Sequence, residues 1–257
     1  MNYPGGKGGA GVFQTIVNLQ PPHETYIEPF LGGGSVMLRK RPAALNIGID
    51  LVASAVSEVS AEIGRNGVGA VGIVGSGVEV LQRQKQRPAP ASHGGNGDVR
   101  SPRFDFRVGD ALDFLRSYQF TGRELVYCDP PYVRSTCTSK CRYAFDFTDD
   151  QHRELLKLLG TLNAMVLISG YMSPLYAKGL KGWNCTSFAV QTRRRPAAEV
   201  LWFNYDKPVQ LHDYRYLGSN LRERERIKRK VTRWVKRLER QPVLERQALL
   251  AALSTTA

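Results

Sequence analysis

Tyr26-Ile27-Glu28-Pro29-Phe30-Leu31-Gly32-Gly33-Gly34-Ser35-Val36 is the stretch from which the fold can be read. A short apolar strand runs into a glycine loop, and the residues from Gly34 to Lys40 carry a helical pattern. Glycines at such a turn let the backbone approach a ligand, and a helix starting there offers it free amides. A glycine triplet alone is often just a turn. Here the next apolar segment, Asn46-Ile47-Gly48-Ile49-Asp50, ends in an acid sixteen positions after Gly34. An acid at that place is positioned to bind ribose hydroxyls, so the pair points to a nucleoside-bearing cofactor.

Outward from this stretch, short apolar segments alternate with amphipathic ones. Strands are expected near Thr25–Glu28, Leu45–Ile49, Phe104–Val108, Leu125–Cys128, Ala164–Ile168 and Val200–Tyr205. Helices are expected over Gly34–Lys40, Leu51–Ile63, Asp110–Tyr118 and Asp149–Leu162. This alternation argues for an open α/β sheet, in which ligands sit at the carboxyl ends of the strands.

The chain has 257 residues, 42% apolar and 23% charged, enough for a buried core. Its net charge of +13, from 36 Lys+Arg against 23 Asp+Glu, points to a polyanionic partner. No apolar run approaches the roughly 18 residues of a membrane span. The N-terminal Met1-Asn2-Tyr3-Pro4-Gly5-Gly6-Lys7 lacks the apolar core of a signal peptide. Four cysteines are too few for a disulfide scaffold, so a reduced, cytoplasmic setting is expected.

Two regions break the rhythm and divide the chain into a catalytic domain over 1–211 and an extension over 212–257. Within the first, Gly64 to Arg103 is rich in Gly, Pro and Ser, and little regular packing is expected there. In the extension, Ile227, Val231, Trp234, Val235 and Leu238 form an apolar stripe at helical spacing. From Arg222 to Arg246 there are 11 basic and 4 acidic residues, and Pro242 opens a second short helix.

The segment Leu125-Val126-Tyr127-Cys128-Asp129-Pro130-Pro131-Tyr132 carries the chemistry. An apolar strand ends in an acid, two prolines and an aromatic ring. The prolines fix φ and remove two amide donors, leaving bare carbonyls aimed outward. A planar exocyclic amine needs two acceptors and a flat surface. Asp129 can take one amine hydrogen and the Pro130 carbonyl the other, while Tyr132 stacks on the ring. The bland reading is a rigid loop whose acid caps a helix. Cys137, Cys141 and His152 do not complete the four ligands of a structural zinc, so no metal is expected.

In these residues the sequence resembles the Dam-like, alpha-group adenine DNA methyltransferases, which use S-adenosylmethionine. Four blocks in the family's order carry it: Tyr3-Pro-Gly-Gly-Lys7, Glu28-Pro-Phe-Leu-Gly-Gly-Gly-Ser35, Asp50 and Asp129-Pro-Pro-Tyr132. Weaker echoes are Gly109-Asp110-Ala111, Phe147-Thr148 and Leu167-Ile168-Ser169; the tail from Tyr214 is similar to that of prophage-encoded members. The resemblance implies a Rossmann-like methyltransferase sheet with helices on both faces. It implies that Tyr3, Gly6, Lys7 and the loop Glu28, Pro29, Phe30, Gly32, Gly34 and Ser35 meet the cofactor's methionine end. Asp50 then holds the ribose, and Asp110 with Ala111 lies near the adenine. Asp129, Pro130, Pro131 and Tyr132 form the catalytic motif.

The family's structured target-recognition insert falls where this chain has its Gly-rich stretch. That stretch is either a recognition hairpin that orders on DNA or a linker with relaxed sequence choice. Arg134, Lys140, Arg142 and Tyr143, in the loop after the motif, and Arg226 and Lys230 in the basic helix are the expected DNA contacts. For the basic helix the competing reading is a solvated face over a stripe that packs on the sheet, with Trp234 as a core anchor. The expected reaction is methyl transfer to adenine N6 in DNA by a monomer or weak dimer. The alternatives are methylation of RNA or of cytosine N4, a catalytically silent DNA-binding protein and, more remotely, a membrane-surface role for the basic helix.

Overall fold

The structure is a computed structural model that describes residues 7–9, 11–66, 70–133 without 75–100, 147–191 and 196–255. Tyr3, Gly6, Arg134, Cys137, Lys140, Cys141, Arg142 and Tyr143 lie outside the described residues, as does most of the Gly-rich stretch. Two compact units divide the chain, Met1–His212 and Asp213–Ala257.

The first unit is built on an eight-stranded sheet. Its strands are β1 (Thr25–Glu28), β2 (Leu45–Asp50), β3 (Ala70–Val74), β4 (Arg103–Val108), β5 (Glu124–Cys128), β6 (Met165–Gly170), β7 (Asn184–Gln191) and β8 (Pro196–Phe203). Their order is β3-β4-β2-β1-β5-β6-β8-β7. The first six are parallel, and β8 enters antiparallel between β6 and β7. Without the edge strand β3, this is the order of a Rossmann-like methyltransferase sheet, as the sequence implies. The helices of this unit are α1 (Val12–Val17), α2 (Ala53–Arg65), α3 (Ala111–Ser117), α4 (Asp149–Leu159) and α5 (Pro174–Gly179).

Strand alternation sends one set of side chains to each face. Ile27, Ile47, Ile49, Val126, Cys128, Val166 and Ile168 join Leu112, Leu115, Leu155, Leu156 and Tyr176 of α3, α4 and α5 in one core. Their neighbours Tyr26, Phe104, Phe106, Leu125 and Tyr127 are as deeply buried on the other face. Burial on both faces is why these strands read as nearly continuous apolar runs.

Three expectations need correction. Gly34–Lys40 is a run of turns, not an α-helix. Gly32 and Gly34 hold left-handed φ values of +47° and +57°, and Pro42 stops the chain after single bonds such as Leu38 N–H to the Gly34 carbonyl, 2.9 Å. The Gly-rich stretch is not wholly irregular: α2 runs to Arg65, and the β-branched Val71, Ile73 and Val74 extend as β3 alongside β4. Strand β7 went unread because its polar Asn184, Thr186 and Ser187 dilute the pattern.

The second unit carries α6 (Leu221–Glu239) and α7 (Val243–Ser254). Asn220 caps α6 by accepting the Glu223 N–H at 3.0 Å, and Glu223 in turn accepts the Ser219 N–H at 2.9 Å. No residue of either helix is buried. Within this unit Trp234 is 55% exposed, with the Arg237 guanidinium 5.5 Å from its ring centroid.

Candidate functional site

Strand order reverses between β1 and β5, the place where an α/β sheet opens a crevice at its carboxyl edge. Every described residue of the sequence motifs lies at this edge or on the segments leading from it. The glycine loop leaves β1 and crosses the end of β2. There the Leu31 N–H donates to the Ile49 carbonyl at 2.9 Å and the Gly32 N–H to Asp50 Oδ2 at 2.7 Å. Asp50 Oδ1 accepts the Val52 N–H at 2.9 Å. The loop thus opens no helix, and its Gly32 amide already serves to orient Asp50. Each oxygen of that carboxylate has a second lone pair, so its capacity toward a diol remains.

Gly34 is buried where any side chain would collide with α2: a Cβ there would stand 2.8 Å from Val59 Cγ1. Pro29 is buried, and Phe30 meets Phe147 edge-on at 5.5 Å. Gly8 brings the N-terminal segment across this loop, since a Cβ on it would lie 3.6 Å from Ser35 Oγ. At the end of β4, Asp110 caps α3: its Oδ1 accepts from Leu112 N–H at 2.8 Å and Asp113 N–H at 3.1 Å. Ala111 is buried as the first residue of that helix. For Asp110 a structural duty is therefore evident, with Oδ2 outside it.

The motif after β5 is held by a cluster of charge that motif reading only partly foresaw. Lys7, 4% exposed, places Nζ 2.9 Å from Asp129 Oδ1, 3.0 Å from Glu199 Oε2 and 2.6 Å from the Tyr132 hydroxyl. Burial works against the charge on Lys7, but Asp129, Tyr127 and Glu199 more than offset it and hold the amine protonated. Asp129 Oδ1 also accepts from Ser169 Oγ at 2.7 Å, and Ser169 Oγ lies 3.1 Å from the Tyr127 hydroxyl. Both contacts fall on Oδ1, which leaves Oδ2 without a partner among the described residues.

Next to Asp129, Glu28 is 3% exposed and bonded to the Tyr26 hydroxyl at 3.1 Å. Burial pushes its carboxyl up to about 8, the Tyr26 bond opposes this, and the Asp129 charge adds to it. Glu28 is thus a neutral donor or acceptor at neutral pH, not a second anion. The Cys128 thiol is pushed up by burial and by Asp129, so it is inert.

Tyr132, expected as a free stacking surface, is tethered. Its hydroxyl donates to Glu199 Oε1 at 2.5 Å while accepting from Lys7, and its ring lies 4.6 Å from that of Tyr171, tilted by 49°. Of the two prolyl carbonyls expected to aim outward, that of Pro131 acts on the His152 ring instead. His152 is fully buried, edge-on to Phe147, with Nδ1 3.1 Å from the Tyr176 hydroxyl. Burial lowers it to about 4, although the Asp149 charge and the Pro131 carbonyl work the other way. Pro130 is buried at the end of β5.

Glu199 was missed by the sequence reading. A lone acid inside Ala197-Ala198-Glu199-Val200-Leu201-Trp202 was the available signal, because a central strand does not otherwise carry a carboxylate. Of the residues expected to touch DNA, Arg226 pairs with Glu223 at 3.6 Å and Lys230 is exposed. No helix among the described residues is long and apolar enough to cross a membrane, and no three of their His, Cys, Asp or Glu side chains gather as a metal site.

No family model matches the chain, and neither does any curated protein. Among solved structures, it is similar to an rRNA methylase from Streptococcus thermophilus, at 10% identity over 76% of this chain and 93% of the other, TM-score 0.43. It is similar to magnesium protoporphyrin IX methyltransferase from Synechocystis with bound SAH, at 13% identity over 75% and 81%, TM-score 0.43. A third is precorrin 8W decarboxylase from Methanobacterium thermoautotrophicum, at 10% identity over 74% and 86%, TM-score 0.41. These are distant likenesses, and the α/β assignment of this chain rests on its own strand order: a Rossmann-like methyltransferase sheet.

Proposed function

We propose that this protein transfers a methyl group from S-adenosylmethionine to the N6 amine of adenine in DNA. The observation that carries the reading is Asp129: at the end of β5, beside the strand-order reversal, its Oδ1 is fixed by Lys7 and Ser169 and its Oδ2 is left over. The donor set fits a nucleoside cofactor. Two acids lie at the ends of adjacent strands, Asp50 closing β2 and Asp110 following β4, and Gly34 of the loop admits no side chain over α2. When bound, S-adenosylmethionine supplies an electrophilic methyl carbon.

The chain's own residues then do three things. Lys7 and Ser169 both bind Asp129 Oδ1 and so hold the carboxylate in one orientation, with Oδ2 toward the crevice side of the proposed pocket. Asp129 Oδ2 and the Pro130 carbonyl take the two hydrogens of an exocyclic amine, which localises the lone pair on nitrogen. Tyr132 and Tyr171 border the place where an extruded base would lie; stacking worth about 1–3 kcal/mol offsets part of the few kcal/mol of unpairing. Alignment of the two reactants supplies the larger part, roughly 7–11 kcal/mol of the barrier. The amine becomes acidic once methylated, so no strong base is needed.

The test is transfer of tritium from labelled S-adenosylmethionine to duplex DNA, to single-stranded DNA and to RNA, followed by nucleoside analysis. The expected product is N6-methyl-2′-deoxyadenosine, from DNA. Asp129→Ala should lower turnover about 10²–10³-fold or more, the scale of removing one preorganised electrostatic contact, while cofactor binding persists. A near wild-type rate in that variant would remove Asp129 from the chemistry. Label in RNA alone, or in cytosine N4, would replace the substrate and leave the reaction class standing.

A further inference from the structure

Resting on the reading above, we propose that Glu199 is a positioning residue that fixes the plane of the Tyr132 ring at the base-binding face. Glu199 sits in the middle of β8, 3% exposed, on a strand whose neighbours Val200, Leu201, Trp202 and Phe203 are buried and apolar. An apolar residue of similar volume is usually no worse at such a place. What the carboxylate does instead is reach past β6, the one strand between β8 and β5 in the sheet, to the motif. Oε1 accepts from the Tyr132 hydroxyl at 2.5 Å, and Oε2 lies 3.0 Å from Lys7 Nζ.

These two contacts close a ring of interactions. Lys7 donates to the Tyr132 hydroxyl, the hydroxyl donates to Glu199, and Glu199 pairs back with Lys7. A tyrosine held only by its backbone turns about χ1 and χ2; one whose hydroxyl is also held by two charged partners does not. The Lys7 ammonium, 5.1 Å from the Tyr132 centroid, and the tilted Tyr171 ring at 4.6 Å bear on the same ring. Glu199 also shares the Lys7 charge with Asp129, so Lys7 steadies the catalytic carboxylate without being its exclusive partner.

Four whole-chain variants test this: E199Q, E199L, Y132F and the double variant E199L/Y132F. Steady-state transfer to DNA gives kcat and KM, calorimetry gives cofactor affinity, and ¹³C NMR of labelled tyrosine follows Tyr132, whose signal is the one missing in Y132F. E199L is expected to lower kcat/KM for DNA about tenfold to hundredfold, the worth of a charge-assisted hydrogen bond. Cofactor affinity should stay within about threefold, a change of less than 1 kcal/mol. E199Q keeps an acceptor for the hydroxyl and should recover part of the loss while still shifting the Tyr132 signal. The double variant should lose less than the product of the two single losses, because Y132F already removes the contact to Glu199 Oε1 and only the Lys7 pairing remains for E199L to remove. Losses that multiply, or a Tyr132 signal unmoved in both Glu199 variants, overturn the proposal. Should E199L fail to fold, E199Q decides alone: a shifted signal with a lower kcat/KM supports the role, and neither change overturns it. A wild-type chain that methylates no DNA, with a Tyr132 signal that still moves in E199Q, refutes the substrate and not the positioning.

Discussion

Lys7 and Arg226 carry the same charge on long stems, and the molecule uses them in opposite ways. Lys7 is 4% exposed and meets three oxygens within 3.0 Å. Arg226 has a side chain 63% exposed and one carboxylate contact at 3.6 Å. A pair of the second kind contributes about 0–1 kcal/mol and weakens with salt. A pair of the first kind brings no large net gain over apolar packing, but losing one partner strands the other charge. Strand ends at the switch point are where this chain keeps ions that cannot be moved independently, and α6 is where it keeps ions that can.

Removing Lys7 attacks the contrast most directly. Lys7→Met should cost about 3–5 kcal/mol in urea unfolding, because Asp129 and Glu199 lose their shared counter-ion, and transfer should vanish with it. A loss below about 1 kcal/mol would put Lys7 in the same class as a surface lysine.

The pH dependence of stability sharpens the picture of the buried end. Glu28 holds its proton up to about 8 when folded, whereas the unfolded carboxyl releases it near 4.5. The folded state therefore binds more protons across that window, and Glu28's contribution, complete below 4.5, is lost as pH rises to 8. Glu199, also raised by burial, acts with the same sign. His152 acts oppositely, gaining stability for the fold from about 4 to 6.5, so the informative interval lies above 6.5. Unfolding midpoints should fall between pH 6.5 and 8 in the wild type and fall less in Glu28→Gln. Parallel profiles would mean that Glu28 is ionised in the folded protein.

At the exposed end the effect on stability is the smallest. Arg226→Ala with Lys230→Ala should leave stability within about 0.5 kcal/mol, while the slope of log affinity for DNA against log salt drops by about 1 per charge removed. An unchanged slope would separate α6 from nucleic-acid binding.

Much of the fold was legible because β1, β2, β5 and β6, buried on both faces, leave nearly continuous apolar runs, and β4 alternates Phe104 and Phe106 with polar residues: Glu28, Asp50, Asp110 and Asp129 could all be placed on the carboxyl edge of the sheet. The edge strands β3 and β7 were harder to see, since Gly72 in one and Asn184, Thr186 and Ser187 in the other break the alternation. Gly34–Lys40 misled because a helical pattern says nothing of φ, and two left-handed glycines turned it into successive turns. At the site, the acids and the Asp-Pro-Pro-Tyr motif were readable; their pairing was not.

The order of residues alone determined the α/β alternation, the placing of acids after strands and the concentration of positive charge in α6, because periodicity and composition are local properties of a chain. The union of Lys7 with Asp129, Tyr132 and Glu199 joins residues up to 192 positions apart, and only tertiary structure decides it. Charge pairing in the interior depends on which strands the sheet sets side by side, and no local pattern encodes that choice.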